Sequence, residues 1–202
     1  MSTAALTRST PEDLLVMPDG KGYELVDGEL LERPMGAESD LVAGDLYPRV
    51  APFCNERGLG RVWSNTGYQC FPHDPGMVRR PNLSFVRAGR LAGNVVPKGW
   101  IRNPPDLAVE VISPNDRVYQ LDAKLADYRK VRIHLVWTIN PESRTATVYR
   151  ADGSVRILFE DDELSGEDVI PGFRCRLRDI LPKPESAQDP VPSAGPNGTG
   201  PA

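Results

Sequence analysis

Two strongly apolar segments, separated by the pattern of an amphipathic helix, constrain the fold of this chain more than any other feature. The apolar segments are 106–113 and 133–140, and the helical pattern spans 117–131. Strands that are apolar on both faces belong to sheets that are covered on both sides. A helix between two such strands usually forms a right-handed crossover between parallel neighbours. The sequence therefore predicts a buried parallel pair of strands in a sheet flanked by helices.

Antiparallel elements are predicted on either side of this unit. Alternating runs around Asp27-Gly28 predict an N-terminal β-hairpin, and those around Asp152-Gly153 predict a C-terminal β-hairpin, because Asp-Gly favours tight hairpin turns. The other predicted elements are a short helix from Thr10 to before Pro18, a helix over 38–57, and strands over 61–64, 67–72 and 79–86. The expected fold class is α/β (α+β), with a mixed central β-sheet flanked by helices.

The length of 202 residues suits a single domain, which we place at 10–181. Residues 182–202 are rich in Pro, Gly and Ser and predict a disordered tail, and residues 1–9 predict a flexible N-terminus. No stretch reaches the ~20 apolar residues of a membrane span. The N-terminus lacks the apolar core of a signal peptide, so a cytoplasmic location is expected.

Several classes of chemistry are disfavoured by the motifs that the sequence lacks. The three cysteines form no C-x-x-C pair, and neither histidine lies in an H-E-x-x-H setting, so no zinc site is indicated. The absence of a Walker loop and of G-x-G-x-x-G argues against a nucleotide cofactor.

The net charge of −4 argues against a protein that coats nucleic acid non-specifically. However, no acidic residue occurs between Asp74 and Asp106. This interval is either a solvated loop surface or a local strip that contacts phosphates. Its basic residues are Arg79, Arg80, Arg87, Arg90, Lys98 and Arg102.

Glu110 is the one residue that does not suit the apolar strand 106–113. A buried carboxylate is costly unless it is paired, protonated or bound to a cation. It is therefore either half of a buried ion pair or a ligand for a divalent metal. Lys124 lies at the rim of the apolar face of the following helix, from which its ammonium could reach Glu110. Taken singly, Glu24 and Asn82 could be ordinary surface polar residues.

Five segments together resemble the Uma2 family of restriction-endonuclease-like proteins. They are Tyr23–Leu30, Arg80–Val86, Pro105–Pro114, Lys124–Tyr128 and Val136–Pro141. The resemblance extends from about Thr10 to Leu181. It implies the PD-(D/E)xK nuclease fold and cleavage of DNA phosphodiester bonds that depends on Mg²⁺ (or Mn²⁺). A homodimer is also plausible, because cutting both strands generally needs two sites.

The resemblance also implies the roles of individual residues. Glu110, Asn82 and the backbone carbonyl of Val111 would hold the metal. Lys124 would position and help deprotonate the attacking water, or neutralise the scissile phosphate. Glu24 would complete the site, holding the metal through water or orienting Lys124. The basic strip, from Arg79 to Arg102, would contact flanking phosphates.

The sequence departs from the family pattern at three positions. Asn82 replaces an aspartate, Ile112 occupies the usual lysine position of the triplet, and Ser39 replaces a histidine. An amide oxygen is a neutral ligand and binds a hard cation more weakly than a carboxylate does.

Three hypotheses follow: an active endonuclease, an inactive nuclease-fold protein that binds nucleic acid or a protein partner, and an unrelated protein with a buried Glu110–Lys124 ion pair.

Overall fold

The structure, a computed structural model, describes residues 8–33 and 36–183, which contain three α-helices, three short 3₁₀-helices and ten strands. The α-helices are α1 (Pro11–Val16), α2 (Ala37–Glu56) and α3 (Val118–Lys130). The strands are β1 (Tyr23–Val26), β2 (Glu29–Glu32), β3 (Gly60–Ser64), β4 (Leu83–Arg87), β5 (Leu107–Val111), β6 (Leu135–Asn140), β7 (Thr145–Arg150), β8 (Val155–Phe159), β9 (Glu163–Ser165) and β10 (Arg174–Arg176).

The central sheet has six strands in the order β3-β4-β5-β6-β7-β8. The strands β5 and β6 pair in parallel, with Glu110 opposite Thr138, and every other neighbouring pair in the sheet is antiparallel. The parallel pair is connected through α3, as the two apolar segments predict. The predicted fold class, a mixed sheet with flanking helices, is confirmed.

Both faces of the sheet are buried at its centre, where β5 lies, and this explains why the sequence of β5 is mostly apolar. Leu107, Val109 and Val111 pack into a core that includes Val42 and Leu46 of α2. On the opposite face, Ala108 lies in a second core, which includes Tyr128 of α3, together with Tyr68 and Phe71. All five residues of β5 are buried. The strand therefore lies between two apolar layers, and Glu110 is placed among them.

Both predicted hairpins are present. In the first, Asp27 and Gly28 connect β1 to β2 with positive φ angles of 51° and 78°, the conformation that a tight hairpin turn requires. In the second, β7 pairs with β8 at the edge of the central sheet. Helix α1 begins with the capping box of Thr10 and Asp13, in which each side chain accepts a hydrogen bond from the backbone N–H of the other residue.

Two predicted strands are wrong in whole or in part. Residues 67–72 form no strand, because Tyr68 makes only isolated bridges to Arg79 and Ile101. The strand predicted at 79–86 begins at Leu83, since Pro81 cannot donate a ladder hydrogen bond. The antiparallel pair of β9 and β10 was not predicted, because strands of three residues are too short to show an alternating pattern.

No helix among residues 8–33 and 36–183 is long and apolar enough to cross a membrane. The predicted flexible N-terminus and disordered tail lie mostly outside the described residues, which include only 8–9 and 182–183 of them. The domain bounds at 10 and 181 stay a prediction.

Candidate active site

The candidate active site lies where β5 ends, between the N-terminal hairpin and α3. Glu110 projects from β5 toward α3, which presents Lys124 and Tyr128 one turn apart on the same face. Tyr128 Oη donates a hydrogen bond of 2.5 Å to Glu110 Oε1, and Lys124 Nζ donates one of 2.9 Å to Glu110 Oε2. The helix therefore supplies a donor to each oxygen of the buried carboxylate.

The ammonium of Lys124 lies between two carboxylates. Besides its bond to Glu110, its Nζ lies 2.8 Å from Glu24 Oε1 and donates to the backbone carbonyl of Arg80 at 3.2 Å. The side chains of Lys124, Glu24 and Glu110 are 12%, 6% and 8% exposed. Because water covers so little of the three groups, their charges interact more strongly than surface ion pairs do.

Arg79 extends this cluster from Glu24 to Asp127. Its Nη1 donates to Glu24 Oε2 at 3.0 Å, and its Nη2 and Nε donate to Asp127 Oδ2 at 2.6 and 3.1 Å. Asp127 also lies 3.2 Å from both His73 Nε2 and Lys130 Nζ. The buried carboxylates Glu24, Glu110 and Asp127 thus alternate with the cations Lys124 and Arg79.

The two glutamates respond to this cluster in opposite directions. Burial alone would raise the pKa of Glu24, but the nearby charges of Lys124 and Arg79 lower it to about 2. Burial raises the pKa of Glu110, since the attraction of Lys124 is partly offset by the negative charge of Glu24. Glu110 is therefore the carboxylate that an additional cation would stabilise most.

Asn82, which immediately precedes β4, joins the same site. Its Oδ1 accepts a hydrogen bond of 2.9 Å from the backbone N–H of Val111, the residue after Glu110. Asn82, Val111, Glu110, Glu24 and Lys124 all line one small cavity of about 70 Å³. The structure therefore brings together every residue that was predicted to be catalytic or to hold the metal.

The donors in this cavity suit a Mg²⁺ ion with most of its coordination shell supplied by water. No group of three or more His, Cys, Asp or Glu side chains that could hold a metal occurs among the described residues. However, Mg²⁺ typically uses one or two protein carboxylates and retains several waters. Glu110 and Glu24 supply two carboxylates, and Asn82 and Val111 add an amide oxygen and a backbone carbonyl oxygen, all of which are oxygen ligands that suit a hard cation.

The predicted basic strip is not a continuous surface. The side chain of Arg79 is 4% exposed and pairs with Glu24 and Asp127. Arg80 is also buried, its guanidinium donating to the backbone carbonyls of Tyr23, Asn65 and Gly20. A guanidinium satisfied inside the protein cannot reach phosphates that flank a cleavage site. Arg79 and Arg80 are therefore structural parts of the site rather than groups on its surface.

The other members of the strip lie closer to the surface. Arg87 and Arg90 both lie near the buried carboxylate of Asp106, with Arg90 Nη1 at 2.7 Å from its Oδ1. Asp106 immediately precedes β5, so this pair lies at the opposite end of the strand from Glu110. Lys98 and Arg102 are exposed.

Sequence reasoning missed Tyr128 and Asp127 as members of the cluster. Tyr128 lies one helical turn after Lys124, and this spacing is the signal that could have identified it. Ser39, which replaces the family's histidine, is buried at the start of α2 and donates to the carbonyl of Gly36 at 2.8 Å.

Comparison with known proteins supports the predicted family and fold. The family model described as "Uma2: Putative restriction endonuclease" matches residues 11–178. A solved crystal structure, described as "a putative nuclease belonging to DUF820 from Anabaena variabilis ATCC 29413", resembles this fold with a TM-score of 0.71. The two sequences are 17% identical, and the match covers 85% of this chain and 97% of that chain. No curated protein matches the sequence significantly.

Proposed function

The chain belongs to the Uma2 family, as its sequence motifs predict, and from this premise we propose that it is a metal-dependent endonuclease acting on DNA phosphodiester bonds. The observation that carries the proposal is the convergence of Glu24 and Glu110 on the ammonium of Lys124, in a cavity that Asn82 also lines. Glu110, Asn82 and the carbonyl of Val111 would hold Mg²⁺ or Mn²⁺. When bound, such a cation supplies Lewis-acid stabilisation of the negative charge that develops on the phosphate.

Lys124 acts as a positively charged donor in this proposal. Its ammonium has three oxygen atoms within 3.2 Å, so an acceptor is available for each N–H. The nitrogen of an ammonium has no free lone pair and cannot act as a base. In a substrate complex, one of these donors would turn to the scissile phosphate or to the attacking water. The ammonium therefore orients the nucleophile and offsets charge in the transition state.

Glu24 keeps Lys124 in position. Because the pKa of Glu24 is lowered to about 2, its carboxylate is ionised at neutral pH and holds the ammonium at 2.8 Å. The backbone N–H of Arg80 donates to the same carboxylate at 2.6 Å and fixes its orientation. We assign Glu24 a positioning role, with a water-mediated contact to the cation.

Asn82 weakens the site without removing it. Its Oδ1 is already an acceptor for Val111 N–H, and its amide nitrogen cannot bind a cation. An aspartate at this position would keep the bond to Val111 N–H and offer a second, charged oxygen. We therefore expect Asn82→Asp to increase both the affinity for the cation and the rate of cleavage.

The experiment is a plasmid-nicking assay with purified protein in Mg²⁺ or Mn²⁺. Wild type should nick the plasmid, Glu110→Gln should not, and Asn82→Asp should nick it faster than wild type. Lys130→Met is a matched control, because Lys130 pairs with Asp127 but is 55% exposed and does not line the cavity.

A second function, binding of nucleic acid or of a protein partner without cleavage, is favoured by Asn82. This residue lacks the negative charge that the family's aspartate would give to the cation site. Cleavage by Asn82→Asp together with none by wild type would reject cleavage by wild type and favour this second function. Absence of cleavage in both proteins would reject the endonuclease. A homodimer would place two sites on a duplex. The cytoplasmic location stays a prediction from the sequence.

A further inference from the structure

A groove continues from the cavity toward the start of α3. It occupies about 500 Å³, within the range of pockets that hold ligands of nucleotide size. It shares Leu31, Glu32, Arg33 and Gln120 with the cavity and is extended by Asn115 and Arg117. A molecule lying in this groove would therefore reach the candidate active site directly.

The two guanidinium groups of the groove have only neutral partners among the described residues. Arg33 donates to Asn65 Oδ1 at 2.8 Å and to the carbonyl of Lys21 at 3.4 Å. Arg117 donates to Tyr119 Oη at 2.9 Å. Their positive charges are thus not neutralised by carboxylates, in contrast to that of Arg79.

The acidic groups nearby reduce this charge only in part. Glu32 lines the groove and is exposed, and Asp116, which lines the cavity, accepts a hydrogen bond of 2.6 Å from the backbone N–H of Ser113.

The start of α3 adds to the positive potential. Arg117 is its N-cap, its side chain forms no capping hydrogen bond, and the first turn contains no acidic residue. A helix N-terminus favours negative groups, so a cation at this position is unfavourable in the protein alone. Together with the guanidinium groups of the groove, this end of the helix is suited to bind a phosphate.

Tyr119 projects beside the groove with 62% of its surface exposed. Its hydroxyl contacts Arg117, which lines the groove, so the ring lies next to the proposed phosphate contacts. Exposed aromatic rings beside basic side chains are typical of sites where bases of single-stranded DNA stack. A paired base has both faces covered by its neighbours in the duplex and cannot stack in this way.

We propose that the groove binds an unpaired DNA strand, with Arg33 and Arg117 on its phosphates and Tyr119 stacked on a base. This inference rests on the proposed function, since the strand would deliver its scissile phosphate to Lys124. The side chains of Glu24, Glu110 and Lys124 are at least 88% buried. A single strand can enter so narrow a cavity, whereas a duplex can reach it only where its strands are locally open, as negative supercoiling allows in a plasmid.

The test is fluorescence anisotropy in EDTA with a short fluorescein-labelled DNA strand and with the duplex of the same sequence. Wild type should bind the single strand at least about tenfold more tightly than the duplex. Tyr119→Ala should weaken binding of the single strand about 5- to 150-fold, the range for loss of one stacked base. Tyr119→Phe keeps the ring and should stay within about twofold of wild type.

Matched control variants are available on β8. Phe159→Ala removes an aromatic ring that is 64% exposed, and Arg156→Ala removes an exposed guanidinium. Strand β8 is three positions from β5 in the sheet, about 14 Å away. Arg117→Ala should reduce the slope of the logarithm of the binding constant against the logarithm of the salt concentration by about the value for one phosphate contact. Arg156→Ala should leave this slope unchanged.

The outcomes for the groove and for the nuclease are distinguishable, because this binding assay needs no divalent cation and no hydrolysis. Equal binding of duplex and single strand, or equal effects of Tyr119→Ala and Phe159→Ala, would overturn the groove even if the protein cleaves DNA. Selective binding that Tyr119→Ala abolishes would support the groove even if wild type cleaves nothing.

Discussion

Replacing Lys124 by methionine should destabilise the protein strongly at neutral pH. Methionine keeps most of the aliphatic stem but removes the ammonium that lies 2.8 Å from Glu24 and 2.9 Å from Glu110. Both carboxylates would stay buried, and Glu110 would have no cationic partner. Removing one member of a buried ion pair typically costs about 3–5 kcal/mol. For a domain of this size, each kcal/mol lowers Tm by about 2–4 °C, so we expect a fall of about 6–20 °C.

The loss should depend on pH in a defined direction. Burial already raises the pKa of Glu110 in the wild type, and removing Lys124 would raise it further. A carboxylate with a raised pKa binds its proton more tightly in the folded state, so folding becomes more favourable as the pH falls through that pKa. The difference in Tm between wild type and Lys124→Met should therefore shrink between pH 7 and pH 5.

The assay is thermal unfolding followed by circular dichroism at several pH values, with Lys130→Met as the control. Lys130 lies 3.2 Å from Asp127 but is 55% exposed, so its removal should cost less than about 1 kcal/mol at every pH. Equal stability of Lys124→Met and wild type at pH 7 would refute the reasoning. So would a difference in Tm that grows as the pH is lowered.

Three further results are expected. Tyr128→Phe removes the donor to Glu110 and should destabilise the fold by about 1–3 kcal/mol. This loss should exceed that of Tyr68→Phe, which removes only a hydrogen bond to the neutral Ser84, and equal losses in urea unfolding would contradict this. Because the pKa of Glu24 is about 2 against 4.5 for the free side chain, this group alone should contribute a loss of about 3 kcal/mol as the pH falls from 4.5 toward 2. Glu24→Gln, measured by acid titration, should lack this contribution and lose less stability than wild type over this interval. Asn82→Asp should lower the Mg²⁺ concentration that gives half-maximal nicking, and an unchanged concentration would exclude residue 82 from the cation site.

The sequence predicts the core of the site because local patterns encode it. Glu110 interrupts an apolar strand, and this exception is visible without any partner. The spacing of Lys124 alone places it at the rim of the apolar face of the next helix. Since β5, α3 and β6 follow one another, the short connections bring these residues together.

The partners of Arg79 could not be predicted in the same way. Glu24 and Asp127 lie 55 and 48 residues away along the chain, so the sequence shows a cation without showing what neutralises it. From the sequence alone, Arg79 and its neighbour Arg80 are predicted to be surface residues, whereas the structure shows that both are buried. Strand β4 also begins later than predicted, because residues 78–79 form isolated bridges with Leu25 and Tyr68 instead of pairing in the central sheet.

Titration with Mn²⁺, followed by electron paramagnetic resonance, tests most directly whether Glu110 belongs to a cation site. We predict saturable binding of a single Mn²⁺ by wild type, competed by Mg²⁺, tighter in Asn82→Asp and absent in Glu110→Gln that remains folded. Binding that is undetectable in both wild type and Asn82→Asp would contradict the account. Equal binding by wild type and Glu110→Gln would do the same.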